Sequence, residues 1–150
     1  MDQSANHPVL WVVVEDNLGH AKLLKKCMQR FGITNPILHF TAGEPAIEYL
    51  LYEGRGEAQL LILDLNLPLM HGSEVARQIR GELAAEQLPI FVSSTTLDEQ
   101  EVIRCNEVGC QGYIKKPVDE QVLDRAITSL GESYYYTHDL EGRRCLNKKA

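Results

Sequence analysis

Val9-Leu10-Trp11-Val12-Val13-Val14 runs without interruption into Glu15-Asp16-Asn17. A strand with one wet face alternates apolar and polar residues, whereas this run has no polar member, so it predicts a strand covered on both faces. Leu60-Leu61-Ile62-Leu63 repeats the pattern and ends at once in Asp64. Strands buried on both sides belong to parallel sheets flanked by helices, and that expectation organises the rest of the chain.

Between Gly19 and Gly32, Ala21, Leu24, Met28 and Phe31 recur at helical spacing while Lys22, Lys25, Lys26 and Arg30 take the other sides. This is an amphipathic helix closed by glycine. Ile37 to Phe40 reads as a short strand. Thr41-Ala42-Gly43-Glu44 has the form of a capping box, followed by the helical face Ala46, Ile47, Leu50 and Leu51 and a stop at Gly54-Arg55-Gly56. Pro68 delays the next helix, for which Ser73 is the expected N-cap and Val75, Ala76 and Ile79 the inward face. Pro89-Ile90-Phe91-Val92 forms a fourth strand ending in Ser93-Ser94-Thr95-Thr96, and Asp98 caps a helix reaching about Val108-Gly109. Gly112-Tyr113-Ile114 is a fifth strand leading to Lys115-Lys116-Pro117. Asp119 then caps a helix carrying Val122, Leu123, Ala126, Ile127 and Leu130.

Five strands alternating with five helices, joined by right-handed crossovers, predict an α/β doubly wound five-stranded parallel sheet of flavodoxin-like (βα)5 type, strand order 2-1-3-4-5. The expected organisation is an N-terminal extension over residues 1–8, one domain over 8–131 and a C-terminal tail over 132–150, where periodicity fades.

The 150 residues suit a single domain. With 15 Lys+Arg against 21 Asp+Glu the net charge is −6, which argues against nucleic acid as a partner. The apolar run from Val9 is too short for a membrane span, and Met1 to Pro8 has no basic leader, so the expected location is cytoplasmic with no membrane partner. Cys27, Cys105, Cys110 and Cys145 show no CxxC or Cys/His ligand spacing and are expected to be reduced thiols.

Ligands of an open parallel sheet bind at the carboxyl ends of the strands. The polar residues fall there: Glu15 and Asp16 after the first strand, Asp64 after the third, Ser94 after the fourth and Lys116 after the fifth. Three gathered carboxylates repel unless a cation intervenes, and an oxygen-only donor set favours Mg²⁺. With a fixed lysine and a hydroxyl beside it, such a site can stabilise a phosphoryl group in transfer, for which a carboxylate can be the acceptor.

The motifs Val13-Val14-Glu15-Asp16-Asn17, Leu61-Ile62-Leu63-Asp64-Leu65-Asn66-Leu67-Pro68, Gly72, Pro89-Ile90-Phe91-Val92-Ser93-Ser94 and Gly112-Tyr113-Ile114-Lys115-Lys116-Pro117 resemble a response-regulator receiver domain of two-component signalling. The resemblance covers residues 8–131 and is closest to single-domain regulators partnered by phytochrome-type histidine kinases. It implies that Asp64 accepts a phosphoryl group from a kinase histidine. It also implies that Asp16, Asp64 and the Asn66 backbone carbonyl hold Mg²⁺, with Glu15 acting through a water. Ser94 and Lys116 would bind phosphoryl oxygens, Tyr113 would turn inward with Ser94, and the Lys116-Pro117 bond would be cis. A sensor histidine kinase and an unknown downstream protein are the implied partners, and Tyr134-Tyr135-Tyr136 is read either as part of a homodimer or partner surface or as the packing of a helix end.

The bland reading of Ser94 is a turn or cap, of Tyr113 a static strand residue, and of His71 an exposed loop histidine. The function expected is a stand-alone receiver, not an enzyme acting on an external substrate. A scaffold that is never phosphorylated and a Mg²⁺-dependent phosphohydrolase with an aspartyl nucleophile are the alternatives. The hydrolase needs an acid two residues after its nucleophile, where this chain has Asn66.

Overall fold

A computed structural model describes residues 6–96 and 98–150. The expected extension over residues 1–8 therefore lies mostly outside the described residues. His7–Pro8 form β1, followed by β2 (Leu10–Val14), α1 (Leu18–Arg30), β3 (Ile37–Phe40), α2 (Gly43–Glu48) continued by a π turn over Tyr49–Glu53, and β4 (Gln59–Asp64). Then come α3 (Gly72–Arg80), β5 (Ile90–Ser94), α4 (Glu99–Val108), β6 (Gly112–Lys115), α5 (Glu120–Thr128), β7 (Tyr134–His138) and β8 (Arg144–Lys148).

The main sheet is five-stranded and parallel in the order β3-β2-β4-β5-β6, which is 2-1-3-4-5 when its own strands are counted. The absence of polar alternation is explained by two cores, one on each face. Val12, Val14, Leu61, Leu63, Ile90 and Val92 pack on one side with Val75, Ala76 and Ile79 of α3. Trp11, Val13, Leu60, Ile62 and Phe91 pack on the other with Leu24 and Met28 of α1 and Leu123 and Ile127 of α5.

Asp98 and Asp119 cap α4 and α5 as expected, accepting from the N–H groups of Glu101 and Val122 at 2.8 Å each. Two other caps differ from the sequence reading. Thr41 makes no cap. The N-cap of α2 is Ala42, whose side chain accepts nothing, and the helix starts where Gly43 meets α3 so closely that a Cβ would stand 2.6 Å from Val75 Cγ2. For α3 the cap is His71 and not Ser73: its Nδ1 accepts the Ser73 N–H at 3.1 Å.

Residues 132–150, read from the sequence as a tail, fold into an antiparallel hairpin of β7 and β8 that also pairs with β1. Asp139 organises the turn by accepting the N–H groups of Glu141 and Arg143 at 2.9 Å, and Gly142 supplies a φ of 82°. Leu146 is fully buried in the α1/α5 core. Asn35 joins the hairpin to the main sheet: its amide donates to Val9 O at 2.9 Å and Leu146 O at 2.8 Å, and its Oδ1 accepts the Leu146 N–H at 2.7 Å. Arg144 lies over the Phe31 ring at 3.8 Å and the Tyr136 ring at 4.7 Å, and its Nε donates to Phe31 O.

Candidate functional site

The parallel strands all point their carboxyl ends to one edge, so the residues that end or follow β2, β4, β5 and β6 converge on it. Glu15 extends β2, its N–H bonded to Phe40 O at 2.9 Å, and Asn17 turns the chain into α1 by accepting the His20 N–H at 3.0 Å. Oxygens of Glu15, Asp16 and Asp64 lie within 4.8 Å of one another; Glu15 and Asp64 are buried and Asp16 is exposed. An open cleft of about 170 Å³ is bordered by these three with Asn66, Thr95 and Lys116.

Lys116 Nζ is ion-paired with Glu15 Oε1 and stands 3.4 Å from Asp64 Oδ1. Burial pushes the Glu15 carboxyl above the ordinary carboxylate range, the Lys116 ammonium opposes that shift, and Asp64 adds to it. Lys116 N–H is bonded to Ser94 O at 2.8 Å, and the Lys116–Pro117 bond is cis. The lysine thus enters the cleft from the end of β6.

Asp64 is held from below by a close approach. Gly72 N–H donates to Leu65 O at 2.8 Å, and a Cβ at Gly72 would lie 2.4 Å from Asp64 O and 2.7 Å from Leu65 Cα. Only a residue without a side chain lets α3 begin against the end of β4. Asp64 Oδ1 also accepts the Asn66 N–H at 3.1 Å.

Ser94, fully buried, has its hydroxyl engaged locally: Oγ donates to Thr96 O at 2.8 Å, and accepts the Thr96 N–H at 3.1 Å and Asn66 Nδ2 at 3.2 Å. Tyr113 points away from the cleft, with its hydroxyl within hydrogen-bonding reach of Val102 O at 3.0 Å and of Asn106 Oδ1 on α4. The fold therefore gathers Glu15, Asp16, Asp64, Asn66, Ser94 and Lys116, and leaves Tyr113 on the flank.

His20 was not singled out by sequence, yet its Nδ1 is 3.2 Å from Lys116 Nζ and 3.8 Å from Glu15 Oε2. Its spacing of three from the helix-capping Asn17 puts it on the first turn facing the cleft, which is the signal that would have found it. His71 is half-exposed, caps α3, and has Nε2 4.0 Å from Glu101 Oε2.

The cleft suits a metal site in its donors, carboxylate oxygens gathered with open access for waters. A doubly wound sheet carrying an acidic cluster and a lysine at its carboxyl edge suits a receiver domain. The model of the response regulator receiver domain matches residues 11–128, and the chain belongs to that family.

Among curated relatives, the probable methanogenesis regulatory protein FilR2 of Methanothrix harundinacea is 31% identical, over 85% of this chain and 84% of its own. Response regulator Rcp1 of Synechocystis is 28% identical over 90% and 94%. Of solved structures, a receiver domain from Rhodospirillum rubrum aligns at 38% identity and TM-score 0.68, covering 81% of this chain and 90% of that one. The bacteriophytochrome response regulator RtBRR aligns at 25% identity and TM-score 0.75, over 88% and 83%. The Mn(2+)-bound form of Rcp1 aligns at 25% identity and TM-score 0.66, over 79% and 89%. No helix among the described residues is long and apolar enough to cross a membrane.

Proposed function

We propose that this chain is a receiver that takes a phosphoryl group from a histidine kinase onto Asp64 and thereby switches a protein-binding surface. The observation that carries the reading is the setting of Asp64: a buried carboxylate with Lys116 Nζ at 3.4 Å and two further carboxylates at hand, open to a cleft. An Asp64 oxygen attacks phosphorus, the N–P bond to the kinase imidazole breaks, and the imidazole leaves with the bonding electron pair. Lys116 faces one phosphoryl oxygen with its ammonium. Asp16, Asp64 and the Asn66 carbonyl would hold Mg²⁺ directly and Glu15 through a water; the ion supplies charge neutralisation between the carboxylates and the phosphoryl oxygens.

Ser94 is the switch. Its hydroxyl leaves Thr96 O to donate to a phosphoryl oxygen, a charge-assisted bond stronger than the neutral one it replaces. The loop after β5 shifts with it, Tyr113 gives up its bonds to Val102 and Asn106, and the face of α4, β6 and α5 is remodelled.

The receiver unit is residues 8–131, with the hairpin of β7 and β8 as an appendage, and it works in the cytoplasm without an external substrate to turn over. Likeness to RtBRR supports a phytochrome-type kinase as donor, and the Mn(2+)-bound form of Rcp1 supports a divalent ion in the cleft. The edge of β7, a strand paired on one side only among the described residues, supports self-association as part of the output.

Intact mass after incubation with Mg²⁺ and acetyl phosphate tests the reading. One phosphoryl group is expected on wild type and none on Asp64→Asn. Equal labelling of the two, or none on either, would overturn it.

A further inference from the structure

Cys105 and Cys110 are brought together by the way α4 ends. Gly109 adopts a φ of 96°, and the N–H of Cys110 donates to Cys105 O at 3.0 Å, while that of Gly109 donates to Cys105 O and Asn106 O. In this helix-terminating motif the residue after the left-handed glycine and the residue accepting its N–H meet side chain to side chain. Here both are cysteines, and each thiol is the neighbour that most shifts the titration of the other. The 3.0 Å N···O contact limits their Cα separation to about 7 Å at most, the outer reach of a disulfide. Cys105 is buried in the core beside α3, and Cys110 is partly exposed.

Arg80 completes the cluster. Its Nε donates to Gly109 O at 3.0 Å and its Nη1 to Leu83 O at 3.3 Å, while Nη2 is buried with no hydrogen-bond partner among the described residues. Its charge acts on Cys110, across the same corner. The hydrogen bond to Cys110 pulls the Cys105 thiol down, against its burial, and the same bond together with burial pushes Cys110 up. The two thiols share their protons as a coupled pair, and Cys110, the partly exposed member, lies beside the Arg80 guanidinium.

We propose that Cys105 and Cys110 are a redox-active dithiol that closes to an intramolecular disulfide when the chain meets a peroxide. The Cys110 thiolate attacks one peroxide oxygen, the O–O bond breaks, and a sulfenic acid and hydroxide result. The Cys105 sulfur then attacks the Cys110 sulfur, forms the S–S bond and expels the hydroxyl, which leaves as water with the shared proton. Two thiols lose two electrons in total, and one hydrogen peroxide becomes two waters. The bridge pins the end of α4 to the approach to β6, where Tyr113 rests its hydroxyl on Val102 O.

The full chain is treated with hydrogen peroxide at neutral pH, free thiols are alkylated, and trypsin cleavage after Arg104 and Lys115 releases both cysteines on the peptide of residues 105–115. In wild type this peptide is expected unalkylated and about 2 Da lighter than the dithiol form, while Cys27 and Cys145 remain alkylated. Cys110→Ser and, independently, Cys105→Ala should lose the lighter species, and Arg80→Gln should slow its appearance several-fold. The proposal is overturned if wild type stays doubly alkylated at 105–115, if the bridge forms only in urea, or if Cys27 and Cys145 oxidise as fast. Neither Mg²⁺ nor a phosphodonor is present, so the result is independent of the receiver reading.

Discussion

Gly72→Ala should damage stability and site together, and the size of the effect follows from the contact it creates. The new Cβ would lie 2.4 Å from Asp64 O, where ordinary contact begins near 3.4 Å, so about 1 Å of displacement is needed. Both nearest groups, Asp64 O and Leu65 Cα, are backbone, and neither can rotate away. Gly72 is not among the glycines with positive φ, so the penalty is steric and not conformational. Overpacking of this kind costs about 1–3 kcal/mol, which for a chain of this size lowers Tm by about 2–12 °C. Because the displaced backbone carries Asp64 away from Lys116, the acetyl phosphate reaction should slow as well. Gly131→Ala is the contrast: nothing lies within 4 Å of its Cβ, and its φ of 80° alone should cost about 1 kcal/mol, with no effect on phosphorylation. Circular dichroism melts and the rate of phosphoryl addition measure the two arms. A Gly72→Ala chain that melts with wild type and labels Asp64 at the wild-type rate would refute the close approach of α3 to β4.

Asn35→Ala removes three buried hydrogen bonds and orphans the Leu146 N–H, so urea unfolding followed by Trp11 fluorescence should show a loss of about 2–4 kcal/mol; an unchanged midpoint would mean the hairpin contributes nothing to the core. Tyr136 is pushed up to about 12 by burial, with Arg144 opposing. Its raised folded value means its contribution is whole below the unfolded value near 10 and is lost as pH rises from about 10 to 12. Tyr136→Phe deletes a buried hydroxyl without a partner among the described residues and should flatten that alkaline decline of Tm; an equally steep decline would assign it to other groups. Mg²⁺ at about 100 times its Kd should stabilise the chain by about 2.7 kcal/mol, reversed by chelation and absent in Asp16→Asn. A Tm indifferent to Mg²⁺ would remove Asp16 from the metal assignment.

Much of this was legible in the sequence because the relevant physics is local. The unbroken runs Val9 to Val14 and Leu60 to Leu63 can be buried only from both sides, and Asp98 and Asp119 cap the helices that follow them through bonds spanning three residues. The parallel arrangement then sends Glu15, Asp64, Ser94 and Lys116 to one edge by chain direction alone. The failures have a different origin. Thr41 has the pattern of a cap, but the packing of Gly43 on Val75 moves the helix start past it, and His71 takes the role expected of Ser73. The aromatic stretch from Tyr134 has little apolar alternation to announce a strand, and its partner β8 is held by Asn35, 111 residues from Leu146 in sequence.

The layer architecture, the strand ends and the identity of the acidic cluster with its lysine follow from residue order, since burial periodicity and strand polarity depend on neighbours along the chain. Tertiary structure alone decided that Lys116 would pair with Glu15 and lie 3.4 Å from Asp64, that His20 would join them, that Tyr113 would rest on α4, and that the last residues would become a hairpin. Those outcomes depend on contacts between segments far apart in the chain, whose free energy appears only once the sheet order has brought them within reach.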